Sequence, residues 1–339
     1  MGYIIDIGTA VPETFLSQDE FFQIYSAKIE DEDIRRKLRF LIKRSAISKR
    51  HCVDPNISAL TNLPLEQKLS KYHNSAVSLA KKAIINNPAF EENKDNITDI
   101  VFISCTGLQA PGVEIDLIEQ LELSSTIKRY NITFMGCYAA LTGLRLANEI
   151  CTSSNRCVLV VSVELCTLHF QNKSNDDYLL SNSLFADGAA SAIVKSVNHK
   201  AKYKLSDFES RIIPQTKNEM SWKVSPSGFL MTLSSDVPKS IKESLNKKYL
   251  FDRNPKLVDW AIHPGGKQII DGISSILNLE DTDVETSRAI LKSYGNMSSA
   301  TILFVLKKLL DKPESLNNEI IACAFGPGLT LESALLEYV

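Results

Sequence analysis

Apolar positions along the chain follow two rhythms. Residues 3–7, Asp99–Cys105, Tyr130–Met135, Cys157–Val163 and Gly188–Val194 are short apolar runs of strand length. Between them, Glu66–Asn86, Val113–Leu123 and Cys137–Thr152 repeat their apolar residues every three or four positions, which is helical spacing. Cys157–Val163 is almost uninterrupted, the pattern of a strand buried on both faces. Alternating strands and helices predict a doubly wound α/β arrangement with right-handed crossovers. Ser17 or Asp19 is placed to cap a helix beginning near Glu20. His51–Leu63, containing Pro55 and Asn56, reads as a surface loop, and residues 165–186 follow neither rhythm.

The pattern then recurs. Val258–Ile262 reads as a strand, Gln268–Leu277 and Glu285–Ser293 as helices, Ser298–Leu310 as a long apolar helix, and Ile320–Phe325 and Leu329–Tyr338 as closing strands. The polar stretch Lys195–Lys204 separates the two passages, so the expected halves are 1–196 and 197–339, related by internal duplication.

Composition changes this picture little. Hydrophobic residues make up 44% and charged residues 23% of 339, ordinary for a globular chain with a sizeable core. A net charge of −2 gives no global attraction to nucleic acid or an anionic membrane. No apolar run approaches the ~20 residues needed to span a bilayer. The first residues, MGYIIDIGTAVPET, lack the basic and apolar regions of a secretory leader. Seven scattered cysteines without a CxxC pair argue against a disulfide framework or a zinc site. The expectation is a cytoplasmic enzyme with no metal.

The candidate chemistry gathers at turns. Gly136-Cys137 joins a strand to a helix, where glycine permits a tight bend and the first helical turn would stabilise a thiolate at Cys137. A small buried structural cysteine is the alternative. His263-Pro264-Gly265-Gly266 follows a strand directly, at the sheet edge where α/β sites assemble. Asn296 lies in the loop YGNMSS and is either a helix cap or an amide donor. A thiol, an imidazole and an amide together suit acyl transfer: nucleophile, proton acceptor and oxyanion donors. Glu30–Arg50 carries eight Lys and Arg residues, either a solvated helix face or a basic rim for a phosphate-bearing substrate.

FMGCYAALTGLRLA, NSLFADGAASAIV, WAIHPGGKQIID, YGNMSSATILFVL and AFGPGLTLESALL, in this order, resemble the type III polyketide synthases, the chalcone and stilbene synthase family. The resemblance spans essentially the whole chain. It implies a thiolase-like α/β fold of two similar αβαβα halves with a five-layered core, assembled as a homodimer. It implies that Cys137 holds the acyl chain as a thioester, that His263 and Asn296 stabilise the oxyanion and enolate, and that Phe185 gates the substrate tunnel. Lys37 and Arg44 match positions near the phosphates of CoA, with Gly265 and Gly266 beside them. CoA thioesters, an acyl starter and malonyl-CoA, would be substrates, and no cofactor is implied.

Several positions depart from the plant members of that family. Met231 stands where they carry a second gating phenylalanine, and Cys105, Cys166 and His169 replace small or hydroxylated cavity residues. Ser298 matches a serine that shapes cyclisation, and Trp222 resembles bacterial members and would narrow the cavity. Cys105 resembles enzymes that condense malonyl-CoA alone to hydroxynaphthalenes. A fatty-acyl starter leading to pyrones or resorcinols is equally open. The competing expectations are an initiating ketoacyl synthase making one condensation, and a non-catalytic thiolase-fold interaction protein.

Overall fold

The computed structural model describes residues 1–153, 155–197, 199–244, 250–312 and 317–339. Its strands are β1 (Tyr3–Ala10), β2 (Phe15–Ser17), β3 (Lys49–His51), β4 (Asp99–Ser104), β5 (Lys128–Thr133), β6 (Cys157–Leu165), β7 (Asp187–Lys195), β8 (Tyr203–Ile212), β9 (Met220–Ser225), β10 (Gly228–Leu233), β11 (Asp259–Ile262), β12 (Glu319–Gly326) and β13 (Thr330–Tyr338). Nine of them form one sheet in the order β11-β12-β13-β8-β1-β7-β6-β4-β5. The two passages of the sequence meet at β1, which pairs with β7 along its length but with β8 only through Tyr3–Lys204 and Ile4–Tyr203.

The alternation of side chains explains the layers. Val158 and Val160, with Ile320, Ala322 and Ala324, face a shared core that contains the helices Ala139–Ile150 and Thr301–Leu310. Leu159, Val161 and Val163 face the other way, against the helix Leu65–Ile85. Ile321, Cys323 and Phe325 likewise face away, toward the helix Lys267–Leu277. Helix, one half of the sheet, paired helices, the other half of the sheet and helix therefore stack as five layers. Because β6 and β12 are buried on both faces, every helix that covers them finds a hydrophobic surface.

The sheet is mixed rather than doubly wound throughout. β4 runs parallel to β5 and β6, and β11 to β12, whereas β6–β7, β7–β1, β8–β13 and β12–β13 are antiparallel. Apolar runs report burial and not direction, so this escaped the pattern.

Other expectations shift. Ser17 is the cap of the first helix, Gln18–Ser26, in a reciprocal pair with Glu20. His51–Leu63 is not a surface loop. His51 ends a strand and Ile57–Leu60 is a helical turn, with Cys52, Ile57 and Leu60 buried. Residues 165–186 include the helix Asp176–Leu184. β8 and the hairpin β9–β10 left no clear trace in the pattern. Within the polar break Lys195–Lys204, Asn198 lies outside the described residues.

Candidate active site

Cys137 is placed by backbone conformation. Phe134 and Gly136 both adopt positive φ, 58° and 87°, turning the chain sharply after β5. A side chain at Gly136 would also meet Pro327, since a Cβ there lies 2.2 Å from its Cδ. The turn at Gly326-Pro327-Gly328 thus packs directly on the Gly136-Cys137 turn, and glycine at 136 is required twice over. The helix that follows starts only at Ala139, with Tyr138 as its cap residue. Cys137 therefore precedes the helix instead of lying in its first turn, and the stabilisation expected from the helix weakens.

His263 leaves the end of β11, and its N–H donates to the Cys323 carbonyl of β12 at 2.8 Å. The imidazole is buried, yet among the described residues neither Nδ1 nor Nε2 has a hydrogen-bond partner. A buried imidazole with both nitrogens unsatisfied is costly. Its expense is explained if a ligand completes it.

Asn296 is pinned through its backbone. Its N–H donates to the Leu184 carbonyl at 3.0 Å, and its carbonyl accepts from the Ala186 N–H at 2.8 Å, so the loop is stitched to both sides of Phe185. Its side chain makes two further hydrogen bonds. Oδ1 accepts from the Ser298 N–H at 2.9 Å, an Asx turn and not a helix cap, since the cap position is Met297, and Nδ2 donates to the Gly265 carbonyl at 3.1 Å. An amide has two N–H donors, so one remains for the cavity.

These three side chains line one cavity of about 170 Å³, partly open to solvent, together with Phe185, Met231, Arg44, Gly265 and Gly266. Ser298 Oγ lies 3.8 Å from Cys137 Sγ. Burial pushes the Cys137 thiol up to about 12, Ser298 opposing it, and burial pushes His263 down to about 3. Neither group carries a lone charge at neutral pH.

A second, smaller pocket of about 30 Å³ is lined by Cys166, His169, Trp222 and Phe229, and shares Phe185 and Met231 with the first. His169 is locked in place: its Nε2 donates to the Thr106 carbonyl at 2.7 Å, Nδ1 accepts from the Phe229 N–H at 3.1 Å, and its ring stacks on Phe229 at 4.1 Å. Burial holds it neutral, with its pKa down at about 3. Trp222 donates from Nε1 to the Cys105 carbonyl at 2.6 Å.

Cys105 lines neither cavity. Its Sγ accepts from the Gly136 N–H at 3.0 Å, so it supports the Gly136-Cys137 turn from behind. Lys37 also lies off the cavity wall, in an ion pair with Asp176.

Two residues near the site carried no sequence signal. Glu164 is fully buried and accepts from the Cys105 N–H at 3.0 Å, the Thr106 hydroxyl at 2.8 Å and the Ser299 hydroxyl. Burial raises its pKa, and these donors hold it back. Arg50 is buried with its guanidinium 3.6 Å from the Phe21 ring centre and donates to the Phe185 carbonyl at 3.0 Å. A glutamate within a strand and one arginine among many give no pattern to read.

Residues 1–197 match the family model for the N-terminal domain of chalcone and stilbene synthases, and residues 204–339 match the model for the C-terminal domain. The chain is 31% identical over 365 residues to the putative chalcone synthase of Bacillus subtilis (strain 168), covering 100% of this chain and 99% of that protein. It is 28% identical over 362 residues to type III polyketide synthase C of Arabidopsis thaliana, covering 98% and 94%. Among solved structures, it is similar to the C-terminal type III polyketide synthase domain of Steely1, a type I/III hybrid from Dictyostelium. The TM-score is 0.92 at 28% identity, over 100% of this chain and 99% of that one.

Proposed function

Because the chain belongs to the chalcone and stilbene synthase family of acyltransferase-type enzymes, we propose that it performs iterative decarboxylative condensation of malonyl-CoA onto an acyl group held on Cys137. The observation that carries this reading is one cavity wall bearing a buried thiol, an imidazole with two unpartnered nitrogens and an amide with a spare donor.

In the first step His263 takes the Cys137 proton. The thiolate attacks the starter thioester, and the C–S bond to CoA breaks. Malonyl-CoA then loses CO₂, leaving an enolate whose oxygen is held by the Asn296 N–H and a ring N–H of His263. The enolate carbon attacks the Cys137 thioester carbonyl. A C–C bond forms, the C–S bond to Cys137 breaks, and the lengthened chain remains on CoA. Returning it to Cys137 permits another round.

Phe185 and Met231, at the junction of the two cavities, would control how far the chain enters the inner one, with Cys166, His169 and Trp222 shaping its end. Cys105 and Ser298 would act through the placement of Cys137. Arg44, Gly265 and Gly266 would meet the CoA arm at the outer cavity. Cyclisation would yield a pyrone, a resorcinol or a hydroxynaphthalene. The reaction needs no bound cofactor, and the assembly implied is a homodimer.

The test is mass spectrometry of products formed by purified protein from malonyl-CoA alone and then with short, long and aromatic acyl-CoAs. Product from malonyl-CoA alone identifies a self-primed synthase, and product with only one acyl class names the starter. No product from any thioester, with Cys137 unacylated, refutes the catalytic reading.

A further inference from the structure

The strand β3 brings a buried cation up behind Phe185. Arg50, its middle residue, is 4% exposed, with the guanidinium 3.6 Å from the centre of the Phe21 ring. Nη1 donates to the Asn182 carbonyl at 2.5 Å and to the Phe185 carbonyl at 3.0 Å. Both carbonyls belong to the C-terminal end of the helix Asp176–Leu184, where unpaired C=O groups and the negative end of the dipole favour a cation. Burial pushes the guanidinium pKa down to about 9, with Cys52 and Asp187 opposing, so the charge persists at neutral pH.

The same stretch braces the loop that carries Asn296. The Ser48 N–H donates to the Lys292 carbonyl at 2.8 Å, and the His51 and Tyr294 rings lie 6.0 Å apart. Gly295 adopts a φ of 73°, and a Cβ there would lie 2.9 Å from Arg50 Cγ, so the arginine stem packs on the backbone one residue before Asn296. Phe185 and Asn296 form a parallel bridge, in which the Asn296 N–H donates to Leu184 and the Ala186 N–H donates to Asn296. Phe185 lines both cavities, and Asn296 lines the larger one. One guanidinium therefore ties together the helix end, the residue between the cavities and the backbone of the amide donor.

A buried cation carries a desolvation cost that an apolar side chain of similar volume would not. Among the described residues Arg50 Nε and Nη2 have no hydrogen-bond partner, so the arginine is not there to complete a saturated network. What it supplies is direction, two carbonyls held at one point. We propose that Arg50 is a positioning residue for decarboxylation: by holding the Phe185 carbonyl it sets the bridge that aims the Asn296 amide at the enolate oxygen. The inference rests on the condensation reading above and adds a residue that acts through that bridge.

The experiment measures CO₂ release from malonyl-CoA, acylation of Cys137 by a starter, and the unfolding temperature in wild type, Arg50→Met and Arg50→Lys. Arg50→Met should lower the kcat of CO₂ release roughly 10- to 100-fold, the scale of a misplacement of about 1 Å, with KM little changed and acylation falling far less. Arg50→Lys, which keeps a cation beside the same carbonyls, should recover part of that loss. If Arg50→Met does not fold, Arg50→Lys should show the same split in smaller measure. In an Asn296→Ala background either change should cost little more, because the group it positions is gone. Equal loss in the two steps, no loss in either, or full additivity with Asn296→Ala overturns the assignment while the condensing activity of wild type stands. No CO₂ release by wild type overturns the parent reading and this one with it.

Discussion

Replacing Asn296 separates its two roles. Its side chain is buried, with Oδ1 accepting from the Ser298 N–H at 2.9 Å and Nδ2 donating to Gly265 at 3.1 Å. Asn296→Ala removes both hydrogen bonds, a structural loss of roughly 1 kcal/mol each. Asn296→Asp keeps an oxygen for Ser298 but deletes every donor. If the spare N–H holds the enolate oxygen, either change removes one oxyanion donor, costing about 3 kcal/mol, or roughly 10²–10³ in rate. The assay follows two steps separately: release of labelled CO₂ from malonyl-CoA, and acylation of Cys137 by a starter, read as intact mass. Both variants should lose decarboxylation by that factor while acylation falls far less. Equal loss in the two steps, or an Asn296→Asp enzyme that decarboxylates normally, would refute the division of labour.

His263→Ala should shift the pH profile of Cys137 alkylation by iodoacetamide upward, because the thiol loses its proton acceptor while burial still pushes it up to about 12; superimposable profiles contradict the pairing. Gly136→Ala forces a positive φ on alanine and places its Cβ 2.2 Å from Pro327, so it should cost at least about 2 kcal/mol and impair acylation, with partial recovery in Gly136→Ala/Pro327→Ala; a neutral effect in denaturant melts rejects this packing. Burial raises the Asp6 pKa, but hydrogen bonds from Lys202 at 2.6 Å, the Ile7 N–H at 2.8 Å and Lys307 at 3.0 Å bring it below the usual carboxylate range. Its stabilisation is therefore complete above pH ~4 and lost as pH falls through the lower folded value. Asp6→Asn should destabilise by about 2 kcal/mol at neutral pH and flatten the acid limb of the stability curve; an unchanged acid limb refutes the linkage.

Local pattern went far in this chain. Period-two and helical spacing marked most of the sheet strands and the two central helices, because strands buried on both faces are apolar throughout and their covering helices are amphipathic or wholly apolar. Turn residues marked Gly136, Gly295 and the Gly326-Pro327-Gly328 turn, since positive φ and close approach of neighbouring atoms demand glycine. The types of residue on those turns were enough to nominate Cys137, His263 and Asn296.

Only the tertiary structure decided the rest, because each remaining feature depends on what lies across space. The direction of β7 and β8, the hairpin β9–β10 and the pairing of β1 with both β7 and β8 are set by long-range hydrogen bonds that side-chain pattern does not encode. The contact between Pro327 and Gly136 joins turns that lie far apart in the chain. The electrostatic state of Cys137 followed burial over helix position, since the helix begins two residues later than its spacing suggested. Lys37 and Arg44, alike in sequence, were separated by one neighbour: Asp176 occupies the first and leaves the second at the cavity.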